Sequence, residues 1–500
     1  MCAAPPLAAR PRRVWTPAAS RRKGPAVPEP SPESSAASLL STRLVSIAVA
    51  SALLMEFIDS TALSTALPTL AHAFSVDPIH LKLALTSYIM ALAVFTPASG
   101  WAAERYGARR VFLSAMVVFL LGSALCGLSR SLEALVASRI VQGVGGAMMT
   151  PVARLIVVGA SPKERLLTAM GWFTMPALVG PLIGPPIAGL VLSVADWPWI
   201  FYINLPVGVL GMIAVLRFVP RSQPQRDIGR FDTPGFVLSA LAVTGLVVVA
   251  ETTGVGLLPP LVQGVLIAVS VACGWTYLRI CGRTGRPILD LSLLRYPTYR
   301  ASLLGGTLVR LGIGATPFLM PLLLQVALGW SPLRASLVTI ATGVGILIAR
   351  PFGAALLRRV GFRTSLSLFV VLTAVLTTAP AFFRNSTPVW LMMGILTLTG
   401  FCRSNQFIAA NTIAYADVPE SSTAAASTLA AVSQQVGLAL GVSFGGMMLH
   451  LARGSGGALT PDRFVTPFAA IGLVTLLALP VYLALDKDAG AAISGRPRKA

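Results

Sequence analysis

Charge is what this 500-residue sequence has least of: only 11% of its residues are Asp, Glu, Lys or Arg, where a globular domain carries about 25%. Histidine is nearly absent, and His72, His80 and His450 form neither an HExxH pair nor a cluster that could hold a catalytic metal. None of the lysines follows a glycine, so there is no Walker A phosphate loop and no expectation of direct ATP hydrolysis. The cysteines Cys2, Cys126, Cys273, Cys281 and Cys402 make no CxxC pair, and four of them lie in or beside apolar runs; they read as small hydrophobes. No cofactor is expected.

What the chain has in excess is oil: 55% of it is hydrophobic, with a mean hydropathy of +0.77. Instead of several soluble domains, this composition predicts an all-α polytopic membrane protein. Helical crossings need ~17–25 residues, and fourteen apolar stretches of that kind lie between residues 44 and 485. The seventh, 234–252, is the weakest, being short and ending at Glu251.

The net charge of +21 would suggest nucleic acid in a soluble chain, but its placement does not. With the N-terminus put in the cytoplasm, 28 of the 39 Lys and Arg fall on the cytoplasmic side. Six fall on the other (Lys82, Arg130, Arg334, Arg384, Arg453 and Arg463) and five lie within spans. This is the positive-inside pattern, and it predicts both termini in the cytoplasm. Residues 1–43, rich in Pro, Arg and Ser, read as a disordered cytoplasmic tail rather than a signal peptide.

Two carboxylates, Glu56 and Asp59, sit within the first span, where a charge costs ~2.5–3.5 kcal/mol on insertion scales. They lie three residues apart, on roughly one helical face. Arg139, Arg310 and Arg403 are likewise inside spans, and Gln142, Asn405 and Gln406 add hydrogen-bonding capacity there. Such groups line a cavity or bond a neighbouring helix.

Four stretches then fall in order: "GWAAERYGARR" (100–110), "RIVQGVGGAMMTP" (139–151), "GPLIGPPIAG" (180–189) and "WPWIFYINLPVG" (197–208). Together with Asp59-Ser-Thr61 through Ala66-Leu67-Pro68 they resemble the major facilitator superfamily, in its fourteen-span drug:proton antiporter branch (EmrB/QacA type), and within it exporters of the MdtD and HsrA kind. Residues 100–110 match motif A, with Glu104 where Asp is usual; 139–145 match motif B and 180–189 the antiporter motif C. "ALLRRVGFR" (355–363) faintly repeats "WAAERYGAR" (101–109).

The resemblance implies two six-helix bundles, 44–219 and 301–486, with a linker and two inserted spans at 220–300 and a cytoplasmic tail at 487–500. It makes spans one, four, nine and twelve the cavity-lining helices. It implies a bacterial inner-membrane exporter working as a monomer, its partners a small-molecule substrate and protons, with neither nucleic acid nor ATP. Amphipathic drug-like cargo is the first expectation, and organic anions such as citrate the alternative. Asp59 and Glu56, modulated by Arg139, are the expected proton-coupling residues; for Asp59 and Arg139 a purely structural ion pair is the other reading. Arg310, Arg403, Asn405, Gln406 and Gln142 are the expected cavity residues. The gating motifs are Gly100, Glu104, Arg105, Gly107 and Arg109, then Gly180, Pro181, Gly184, Pro185 and Gly189.

Overall fold

A computed structural model describes residues 32–161, 166–221, 224, 229–253, 258–282, 287–454 and 457–490, and among them every regular element is helical. Residues 1–41 form one unit and 42–500 a second. In the first, the described residues 32–41 are helical.

Fourteen helices cross the second unit. They are α1 (Pro32–Ala73), α2 (Lys82–Tyr106), α3 (Ala108–Leu128), α4 (Leu132–Ala160), α5 (Leu166–Val194), α6 (Trp199–Phe218), α7 (Thr233–Thr252), α8 (Pro260–Cys281), α9 (Pro297–Pro321), α10 (Pro332–Val360), α11 (Phe362–Thr378), α12 (Val389–Ile413), α13 (Thr423–Arg453) and α14 (Pro461–Leu483). Thirteen are long and apolar enough to cross a bilayer. The exception is α12, whose 25 residues suffice in length but whose Arg403-Ser404-Asn405-Gln406 run lowers its hydropathy.

The tail expected over 1–43 lies outside the described residues for 1–31. Residues 32–43 extend α1 beyond the apolar stretch, because adding a turn to an existing helix needs no new nucleus. The last ten residues of the C-terminal tail also lie outside the described residues.

The faint repeat has a physical basis. Gly107 joins α2 to α3 at φ +90° and Gly361 joins α10 to α11 at φ +80°, a region that favours glycine. Each returns its N–H to the preceding helix, at Ala103 and Leu357.

The helices form two six-helix bundles, α1–α6 and α9–α14, with α7 and α8 added. The added pair is buried over only 17% and 11% of its apolar stretch, against 67% for α9, so it lies at the periphery. At one end the bundles share a single apolar core that takes in Leu67, Leu70, Ile79, Ala188, Phe318, Leu328, Trp330 and Leu449. Polar contacts cross between the bundles there: Gln325 donates to the Thr65 carbonyl at 2.9 Å, and Arg453 pairs with Asp77. At the other end, near Val45 and Leu485, the core splits. One cluster is drawn wholly from 45–219, and the others from 238–489. Within 42–500 the apolar core is thus continuous at one end, called the closed end below, and divided at the other, the parted end.

Candidate coupling and substrate site

Asp59 is 1% exposed and Arg139 fully buried, and their side chains meet at 2.6 Å between α1 and α4. The carboxylate accepts three hydrogen bonds: Oδ2 accepts from Arg139, and Oδ1 accepts from Gln142 at 2.9 Å and from Asn204 of α6 at 2.7 Å. Asn204 also donates to Ser123 of α3 at 3.0 Å. Arg139 has further partners of its own. It donates to Gln142 Oε1 at 2.6 Å and to the Ala84 carbonyl of α2 at 3.3 Å, and its guanidinium lies 4.2 Å from the Tyr88 ring centre. Five of the six helices of this bundle thus meet at one ion pair.

Such a pair, with three hydrogen bonds to the carboxylate and three from the guanidinium, is what a buried charge requires. Chemically the arrangement allows more. If a proton neutralised Asp59, the guanidinium would keep Gln142, the carbonyl of Ala84 and the face of Tyr88, so the pair can part without orphaning its cation.

Glu56 is 7% exposed, one helical turn nearer the parted end. It accepts a single hydrogen bond, from Thr150 of α4 at 3.3 Å, and among the described residues it pairs with no cation. The two carboxylates share a helix face but not an environment.

The arginines of the second bundle lie elsewhere. Arg403 donates to Thr316 of α9 at 2.8 Å and to Thr377 of α11 at 3.2 Å, with its Nε unpartnered. Arg310 stands with Gln406 and Tyr482 of α14 around a cleft of about 20 Å³. Asn405 Oδ1 lacks a hydrogen-bond partner among the described residues. Both arginines are therefore turned towards α11 and α14, and neither pairs with a carboxylate among the described residues. Of the five expected cavity residues, Gln142 joins the Asp59 network, and the other four sit inside the second bundle.

Motif C is a contact surface. A Cβ on Gly180 would meet Phe57 at 2.4 Å and one on Gly184 would meet Thr61 at 2.1 Å, so these glycines admit α1. A Cβ on Gly189 would lie 2.3 Å from Ser336 Oγ and 2.9 Å from the Leu333 backbone, so Gly189 admits α10 of the other bundle at the closed end. Pro181 and Pro185 stay inside a continuous α5. In motif A, Arg109 donates to the Leu216 carbonyl at 2.6 Å, binding the start of α3 to the last turn of α6. Gly100 has open space beside it, and Glu104 and Arg105 are exposed at the parted end. Glu104 edges a cavity of about 450 Å³ whose lining residues all lie between 103 and 221, within the first bundle and the segment that follows it.

Sequence reasoning did not find Asn204, Ser123 or Tyr88. Asn204 left one trace, a lone amide in the apolar run "WIFYINLPVG".

The Major Facilitator Superfamily model matches residues 49–284 and 302–499. The chain belongs to that family. It is 35% identical over 476 residues, 92% of this chain and 98% of the relative, to a protein named "Putative multidrug resistance protein MdtD" from Escherichia coli (strain SE11). A Pectobacterium carotovorum (strain PC1) protein of the same name is 33% identical over 441 residues, covering 87% and 93%. Among solved structures, the nucleoside transporter NupG superposes with a TM-score of 0.65 at 13% identity, covering 88% of this chain and 99% of that one. The POT family transporter PepTSo gives 0.64 at 14% identity, covering 89% and 99%. These two establish the fold alone. As a major facilitator the chain is a multi-pass membrane transporter and not an enzyme.

Proposed function

We propose that this transporter is a proton-driven exporter of small amphipathic compounds, sited in the bacterial inner membrane with both termini cytoplasmic and working by alternating access as a monomer. The observation that carries the reading is the Asp59–Arg139 pair, a buried carboxylate whose cation has other partners ready. Protonation of Asp59 releases Arg139 onto Gln142 and Tyr88; deprotonation draws it back. Glu56, one turn towards the parted end, is an auxiliary carboxylate on the cytoplasmic side, not an obligatory step of the proton path. On this orientation the structure faces inward, closed to the outside by the shared core and the motif C contact of Gly189. Motif A, with Glu104 and Arg105 exposed beside that end, would latch the cytoplasmic side when the bundles reverse.

Each charge carried across the membrane potential supplies ~2.3 kcal/mol per 100 mV, besides the pH term. The name of the relatives favours drug-like cargo, and an acidic Glu56 near the opening suits lipophilic cations. The decisive experiment uses inside-out vesicles from a pump-deficient strain overproducing the protein. A pH gradient, acid inside, should drive uptake of a lipophilic cation, and a protonophore should abolish it. Uptake indifferent to the gradient would refute proton coupling.

A further inference from the structure

A second ion pair lies outside the Asp59 network. Lys82, the first residue of α2, is fully buried, and its Nζ stands 3.4 Å from Oε2 of Glu251, in the last turn of α7 and only 3% exposed. The other carboxylate oxygen, Oε1, accepts a 2.6 Å hydrogen bond from Ser443 of α13. Gly446, one turn further along α13, makes the room: a Cβ there would lie 2.6 Å from Lys82 Cδ.

Three facts about this node belong together. It joins three parts of the molecule, since α2 belongs to the first bundle, α13 to the second and α7 to neither. It lies at the closed end, with the shared core. It is also costly: among the described residues Nζ and Oε2 have no partner but each other, at 3.4 Å, and a carboxylate at a helix C-terminus opposes the helix dipole. A fold needing only glue between α2 and α7 would be served as well by apolar side chains.

We infer that Glu251 is a coupling residue of the transport cycle, through which the inserted helix α7 latches the two bundles together at their closed end. For that end to open, α2 and α13 must part. Glu251 holds one with each oxygen, so α7 can follow only one of them, and one bond must break in every cycle. The weak seventh span is thereby part of the moving interface.

The inference rests on the orientation proposed above, and its test is kept separate from proton coupling and cargo. Ala335, 2% exposed in the shared core, becomes a reporter as Ala335→Cys, with the parent chain correcting for native cysteines. A membrane-impermeant maleimide is applied to whole cells and to inside-out vesicles, and labelling is normalised to membrane abundance. In the wild-type background the cysteine should label slowly. In Ser443→Ala, which keeps the ion pair, and in Lys82→Met with Glu251→Gln, which leaves no unpaired charge, labelling should rise several-fold. Wild-type labelling in either variant overturns the latch. A rise seen only in inside-out vesicles means that the orientation is reversed and the latch real.

Discussion

The Asp59 carboxylate and the Arg139 guanidinium meet at 2.6 Å with neither side chain open to solvent, and each keeps other partners: Oδ1 accepts from Gln142 and Asn204, while the guanidinium holds Gln142, the Ala84 carbonyl and the face of Tyr88. A pair whose members keep partners when parted can be made and broken within a transport cycle. Asp59→Asn removes the charge with little change in volume and leaves Arg139 its bonds to Gln142 and Ala84. The variant should therefore insert and accumulate normally while proton-driven efflux falls roughly 5–150-fold, the span of a ~1–3 kcal/mol coupling. Arg139→Ala should behave differently: it strands a buried carboxylate, and its cost of ~3–5 kcal/mol should appear as a lower melting temperature in detergent. Equal loss of stability in both variants, with coupling intact in Asp59→Asn, would mark the pair as structural.

Glu56→Gln should be the milder change. The residue holds one 3.3 Å hydrogen bond and no cation, so the amide fits without stranding a charge. Export of lipophilic cations should weaken while neutral amphipathic substrates continue, measured as resistance profiles in a pump-deficient host. A uniform loss across both classes would place Glu56 on the obligatory proton path instead.

Much of this was legible in the sequence, and the limits have physical causes. Asp59 and Arg139 stood out because a charge in an apolar run needs a reason to be there, and motif C stood out because a helix so rich in Gly and Pro can bend and pack tightly. Asn204, Ser123 and Tyr88 did not, because small amides, hydroxyls and phenols are ordinary in spans. Lys82 and Glu251 each sit at the margin of an apolar stretch, so Lys82 counted as a loop charge and Glu251 as the end of a weak span. Only the packing of α7 against α2 and α13 brings them together. The direction of Arg310 and Arg403 was hidden for another reason: on helices apolar all round, periodicity does not say which face meets the cavity.

Gly189 offers a test of the closed end that needs no charge. A β-carbon there meets the Leu333 and Pro332 backbone at 2.9 and 3.1 Å, and backbone cannot swing aside as a side chain does. Gly189→Val should push α5 from α10 at the closed end, a strain of ~1–3 kcal/mol. Transport should fall and the Ala335→Cys reporter should label faster. Gly171→Ala, with open space beside it on the same helix, should change neither.

Arg403 and Arg310 decide the sign of the cargo. If the protein exports organic anions such as citrate, these are the cations that would bind them, and Arg403→Gln and Arg310→Gln should each abolish anion export. Their orientation argues for the opposite outcome. Arg403 is engaged by Thr316 of α9 and Thr377 of α11, both within the second bundle, and Arg310 is walled in by Gln406 and Tyr482 around a cleft with room for about one water. Neither can reach a carboxylate-sized ligand without repacking α11 or α14. Both variants should thus keep the wild-type substrate profile. Arg403→Gln should lose ~1.5–3 kcal/mol of stability at most, the worth of a charged hydrogen bond, partly offset because a buried cation is removed. The measurement pairs export of an organic-anion and lipophilic-cation panel with melting temperature. Selective loss of the anions at undiminished melting temperature would restore the anion reading and turn these arginines towards the cavity during transport.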